Sequence, residues 1–299
     1  MSQLRHDPLS GADVIVAAGR AARPVTSAPM APVGAAIATC PFCPGHESET
    51  PPEVARTGSG AADTPAWRVR AFPNLYPIVD AHEVVVLSPD HSRSFADLDD
   101  DAAVEVMTML RDRIRVHLGA GCAYGFAILN HLRAAGASIA HPHAQVFGLE
   151  VVPTGVEAAV ARVRDAGHDL VAADAAFESL VVAREHSVTT WCPHASTSPY
   201  LMRLAHDDAG PRFDAATDTM IAEVARAVRG ALVRFRAIIG DAPYNLVTHT
   251  APPGTEPFRW YVEIIPRLSV AAGFEQVTGI LVNSMPPEAA ARDLREAAS

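Results

Sequence analysis

The segment His141-Pro142-His143-Ala144-Gln145 holds the side chains best suited to chemistry in this chain. Alternate residues of a strand point to one face, so His141, His143 and Gln145 are expected to project together from the start of a strand, opposite apolar Val146. Two imidazoles and an amide make a poor core; the run is either a site or the polar opening of a surface strand. A neutral imidazole is a nucleophile and a proton carrier near pH 7. A second candidate group is Cys40-Pro-Phe-Cys43, whose two-residue gap suits a metal site or a redox pair in a reducing compartment. Cys122 and Cys192 have apolar neighbours and read as core. The loop Ala134-Ala-Gly136-Ala-Ser138 has the small residues that allow backbone to approach a phosphate.

Elements that position these groups follow from periodicity. Strands are predicted at Asp13–Ala18, Pro65–Ala71, Glu83–Ser88, Tyr124–Leu129 and Ala144–Val152, where β-branched and aromatic residues lie between turn signals such as Phe72-Pro-Asn74. Between them, Ser94-Phe-Ala-Asp97 resembles a capping box, and apolar residues recur at helical spacing from Leu98 to Leu118, predicting a long amphipathic helix. The plan then repeats: an Ala-rich helix near 155–176, strands near Leu180 and Tyr200, a long helix from about Asp214 to Ile239, and strands near Tyr244 and Trp260. A final helix runs from Pro287 to about Ala297. This order predicts an α+β fold of two similar halves, antiparallel sheets packed with long helices.

Composition narrows the function. The 299 residues carry 24 basic groups, all arginine, against 34 acidic ones, for a net charge of -10. An acidic chain without a basic run is unsuited to sequence-independent nucleic-acid binding. Half the residues are hydrophobic and 19% charged, enough to bury a core. With no 18-residue apolar run and no apolar leader at the N-terminus, the expectation is a cytoplasmic protein without a membrane partner.

The ordered set Cys40-Pro-Phe-Cys43-Pro-Gly, Phe72-Pro-Asn74, Ser88-Pro-Asp-His91-Ser, Asn130-x5-Gly136-x-Ser138 and His141-Pro-His143-x-Gln145 resembles the galactose-1-phosphate uridylyltransferase family of the histidine-triad superfamily. The resemblance extends through Pro266-Arg-Leu and Gly273-Phe-Glu275 to Pro287 and so covers most of the chain. It implies tandem histidine-triad-like halves: a catalytic and zinc-binding domain over residues 1–168, and a second domain over 169–299 that contributes to the sugar-phosphate site. It implies that His143 is the nucleophile and forms a covalent nucleotidyl-histidine, with its other ring nitrogen donating to a backbone carbonyl within the motif. Gln145 is implied to hydrogen-bond the phosphoryl oxygens, and glutamine rather than a third histidine favours transfer over hydrolysis. Cys40, Cys43, His91 and His141 match the four ligands of a structural zinc site, a soft set suited to tetrahedral Zn²⁺ with no open position. Arg20, Arg23, Asn74, Asn130, Gly136, Ser138 and Glu275 match substrate-binding positions.

Some members have a second metal site. The corresponding positions here are Ala159, His249, Tyr261 and Glu263, which retain two ligands at most, so that site is expected to be absent. A tyrosine common at the hexose site is Phe274 here, and a lysine position is Ser269. The resulting expectation is a homodimeric nucleotidyltransferase that moves a nucleoside monophosphate from a nucleotide sugar to a sugar 1-phosphate. Two alternatives stand beside it: a nucleotide-sugar phosphorylase using inorganic phosphate, and a non-catalytic nucleotide-binding relative.

Overall fold

A computed structural model describes residues 2–22 and 39–297; the predicted substrate residue Arg23 lies outside them. The chain opens with β1 (Gln3–His6) and β2 (Asp13–Val16), an antiparallel pair. The first half then supplies β3 (Ala55–Gly58), β4 (Trp67–Pro73), β5 (Ala81–Val86), helix α1 (Asp100–Gly119), β6 (Tyr124–His131) and β7 (His143–Leu149). Helices α2 (Thr154–Ala166) and α3 (Leu170–Ala175) lead to β8 (Val181–Glu185), β9 (Val188–Trp191), β10 (Met202–His206), α4 (Asp218–Ile239), β11 (Tyr244–His249) and β12 (Tyr261–Pro266). After α5 (Gly273–Thr278), β13 (Leu281–Asn283) pairs in parallel with β2, and α6 (Pro287–Glu296) follows.

Ten strands form one antiparallel sheet in the order β3-β4-β5-β7-β6-β11-β12-β10-β9-β8. The order reads the same from either edge if each first-half strand is exchanged for its second-half counterpart. The halves meet where β6 pairs with β11, Asn130 opposite Asn245 and Leu129 opposite Leu246. They therefore share one ladder. The leading residues pack with the second half, because β2 pairs with β13 and Asp7 is bonded to Arg203 of β10.

The two long helices cover one face of this sheet. Val106, Met107, Leu110 and Ile114 of α1 and Val224, Val228, Leu232 and Phe235 of α4 bury against Leu129, Ala144, Val146, Leu246, Val262 and Ile264. Residues of the other parity on the central strands, Ile128, Asn130, Gln145, Asn245, Val247 and Ile265, are only half-buried. The site must therefore lie on the face the helices leave open.

Several boundaries differ from the periodicity reading. The capping box at Ser94 closes a short 3-10 turn over Phe95–Asp97, and α1 begins after a second cap, Asp99, whose Oδ1 accepts from Ala102 N at 2.9 Å. The Ala-rich run near 155–176 is two helices. Gly167 takes a left-handed φ of 69° that ends α2, and the Asp169 carboxylate caps α3 by accepting from Val171 N and Ala172 N at 3.0 Å. The helix expected from Asp214 starts at Asp218, capped by Thr217, since Asp214 is held in a 3-10 turn by Arg212. The short β1, β9, β13 and α5 carry too few residues for a period to show.

Candidate active site and metal centre

His143 opens β7 with a buried side chain. Its Nδ1 lies 2.9 Å from the carbonyl oxygen of His141, so Nδ1 carries the proton and Nε2 the lone pair. Burial lowers the His143 pKa, and the hydrogen bond to His141 O recovers only part of that shift, so the ring is neutral near pH 7. Phe42 meets it edge-on, with ring centroids 5.2 Å apart.

His141 does not share the direction expected from strand alternation. It precedes β7, and its ring turns toward Cys40 and Cys43, with Nδ1 3.8 and 3.6 Å from their sulfurs. His91 Nδ1 lies 3.3 Å from Cys43 Sγ, and the four ligand atoms all fall within 4.8 Å of one another. Tetrahedral zinc with bonds of about 2.0–2.3 Å needs ligand atoms roughly 3.3–3.8 Å apart, which these nearest pairs match. His141 Nε2 donates to Ser88 O at 2.8 Å, which directs its free Nδ1 at the sulfurs, an outer contact typical of a metal-ligating imidazole. Burial and the neighbouring Cys40 push the Cys43 thiol up to about 11, and burial pulls His141 down to about 4. A dication at this point would reverse the cost of the thiolates, so the donor set fits Zn²⁺.

Gln145 lies on the same face of β7 as His143, two residues on. Its Oε1 is 2.8 Å from Nε2 of His82, a residue at the start of β5, one position before the predicted strand. His82 is buried, is stacked on Phe147 at 4.2 Å, and touches Asn74 Nδ2 at 3.1 Å. Asn74 thus lies beside a ring that spacing did not single out. Its own Oδ1 accepts from Tyr76 N at 2.9 Å.

Asn130 is reached from the other half. Asn245 Nδ2 donates to Asn130 Oδ1 at 2.7 Å and to Ala135 O at 2.8 Å, tying β11 to the small-residue loop. Gly136 takes a φ of 100° there, a turn that other residues rarely adopt, and Ser138 is exposed. The loop returns through Ile139, which packs against the apolar cluster that contains Cys40, Phe42, Cys43 and Phe72.

Arg20 and Glu275 stand apart. Both line a groove of about 910 Å³ with Ile265, Arg267, Ser269 and Phe274. Ile265 pairs with Asn245, and Asn245 with Asn130, so the groove begins three strands across from His143, about 14 Å along the sheet at ~4.8 Å per step. The Glu275 carboxylate caps α5 by accepting from Ala272 N at 2.9 Å. Of the second-metal positions, His249 Nε2 and Glu263 Oε2 are 3.1 Å apart and Tyr261 stacks on His249. Glu263 is also 2.8 Å from the buried guanidinium of Arg203, which places a cation beside the retained carboxylate.

Known proteins are similar to this chain over nearly its full length. An ADP-glucose phosphorylase of Arabidopsis thaliana is 28% identical across 98% of this chain and 92% of its own. The crystal structure of an ADP-glucose phosphorylase from that plant with bound ADP-glucose superposes with a TM-score of 0.88, covering 99% and 98% of the two chains at 27% identity. A galactose-1-phosphate uridylyltransferase of Thermotoga maritima is 25% identical over 99% of this chain and 98% of its own. Fold, site and relatives together define an enzyme of the galactose-1-phosphate uridylyltransferase type, a nucleotidyltransferase. The chain belongs to the family described as Domain of unknown function (DUF4921), which matches residues 117–297.

Proposed function

We propose that the enzyme moves a nucleoside monophosphate from a nucleotide sugar to a phosphate acceptor by double displacement on His143. The carrying observation is the 2.9 Å hydrogen bond from His143 Nδ1 to His141 O, which leaves the Nε2 lone pair free. In the first step Nε2 attacks the α-phosphorus. An N–P bond forms, the bond from that phosphorus to the bridging oxygen breaks, and the oxygen leaves with the sugar 1-phosphate. In the second step an oxygen of the acceptor phosphate forms a bond to the same phosphorus, the N–P bond breaks, and its electron pair returns to Nε2. The amide N–H of Gln145 faces the phosphoryl oxygens as charge grows on them. Cys40, Cys43, His91 and His141 would hold Zn²⁺, which would brace the peptide whose carbonyl orients His143. Asn74, Asn130 and the Gly136–Ser138 loop border the nucleotide.

The greater likeness to ADP-glucose phosphorylase favours inorganic phosphate as acceptor and an adenine nucleotide as donor. A hexose 1-phosphate acceptor is the second reading, favoured by the Thermotoga relative. Incubation with ADP-glucose or UDP-glucose alone, followed by intact-protein mass spectrometry, tests the first step. The expected result is an acid-labile gain of one nucleoside monophosphate, absent in His143→Ala. Addition of inorganic phosphate or galactose 1-phosphate to the labelled protein then shows which acceptor clears it. Nucleotide binding with no adduct and no turnover would leave a non-catalytic relative.

A further inference from the structure

We infer that His82 is a positioning residue for the transfer, holding the carbonyl end of Gln145 so that its amide N–H groups face the phosphoryl group on His143. The inference rests on the function proposed above. His82 stands opposite Phe147 in the β5/β7 ladder, on the face that carries Gln145 and His143. Its Nδ1 accepts from Ile78 N–H at 3.3 Å, so the proton of the neutral ring sits on Nε2, 2.8 Å from Gln145 Oε1. The residue is only 4% exposed, and its stack on Phe147 at 4.2 Å and 23° fixes the plane of the ring.

The opposite proton arrangement is chemically unsuited to the reaction. If Nε2 were unprotonated it would accept from Asn74 Nδ2, 3.1 Å away, and Gln145 would have to turn its amide nitrogen toward the ring. Its oxygen would then face an anionic phosphoryl group. A free glutamine has two amide orientations of nearly equal energy; a fixed donor on Oε1 removes the unproductive one before substrate arrives. Burial also lowers the His82 pKa, which keeps the ring a single-proton donor.

The test follows adduct formation by rapid quench with ADP-glucose as donor in the full-length, zinc-loaded protein. His82→Phe keeps the stack and removes the donor. It is expected to slow adduct formation about 10–100-fold at saturating donor, with donor KM within about threefold. His82→Gln can place an N–H near the lost Nε2 and is expected to recover to within about fivefold. In a Gln145→Ala background, His82→Phe is expected to cost less than about twofold more, because both act through one amide. A wild-type rate in His82→Phe, or an undiminished loss without Gln145, overturns the assignment. If His82→Phe does not fold, His82→Asn, whose shorter amide ends where Nδ1 was, replaces it; equal rates in the Asn and Gln variants would also overturn it. Absence of an adduct in the wild-type protein would instead defeat the function on which the inference rests.

Discussion

His141 and His143 are two positions apart and carry opposite proton patterns. His141 gives its Nε2 proton to Ser88 O and turns Nδ1 toward the cysteines, whereas His143 gives its Nδ1 proton to His141 O and keeps Nε2 free. One backbone carbonyl therefore links the Cys40, Cys43, His91 and His141 cluster to the imidazole proposed as nucleophile. Loss of a ligand should act through that link: His91→Ala is expected to lower zinc content, read by elemental analysis, with a matching loss of turnover, and unchanged zinc would remove His91 from the centre. Gln145→Ala is expected to reduce kcat about 10²–10³-fold, the usual cost of one donor to a developing charge, in steady-state assays with the donor identified by mass spectrometry. His143→Ala is expected to lose at least about 10³-fold in turnover and the adduct entirely.

Strands and loops bring these residues within reach of one another. β5, β7, β6 and β11 lie side by side, and their open face holds His82, Gln145, Asn130 and Asn245 in adjacent rows. The small-residue loop after β6 depends on β11 for its shape, because Asn245 bonds both Asn130 and Ala135 O. Asn245→Ala is expected to cost about 1–2 kcal/mol by denaturant unfolding, from two hydrogen bonds, and to raise donor KM more than it lowers kcat. A KM within error of wild type would detach the loop from nucleotide binding.

The join between the N-terminal segment and the second half rests on buried charge. Arg203 on β10 is 2.6 Å from Asp7, 3.2 Å from Asp174 and 2.8 Å from Glu263, all buried. Replacing Arg203 by Leu strands three carboxylates and is expected to destabilise by about 3–5 kcal/mol in chemical denaturation. Burial alone would raise the Glu263 pKa, but Arg203 and His249 more than offset it and hold Glu263 at about 2, against 4.5 for a free glutamate. The folded pKa lies below the unfolded one, so this stabilisation is fully present above pH 4.5 and is lost as pH falls toward 2. The shift corresponds to about 3 kcal/mol. Unfolding free energies measured between pH 5 and pH 2.5 should fall less steeply in Glu263→Gln than in wild type; parallel slopes would contradict the role of Glu263. Among the described residues, no helix is long and apolar enough to cross a membrane.

Features set by neighbours in the chain were legible without the fold. The α+β class, both long helices, the placement of His143 and Gln145 on one strand face and the two-residue spacing of Cys40 and Cys43 follow from backbone period and side-chain type, which act locally. The His143 hydrogen bond to His141 O is of the same kind, spanning two residues. Strand register and the return of distant segments decided the rest. His82 meets Gln145 across 63 residues, Asn245 meets Asn130 across 115, and Arg203 meets Asp7 across 196. Periodicity specifies which face a residue takes on its own strand but carries no information about which residue of another strand lies opposite it. The assembly of β5 beside β7 and of β6 beside β11 created the first two pairs, the packing of the N-terminal segment on β10 created the third, and the sheet order set the groove that Glu275 lines three strands from His143.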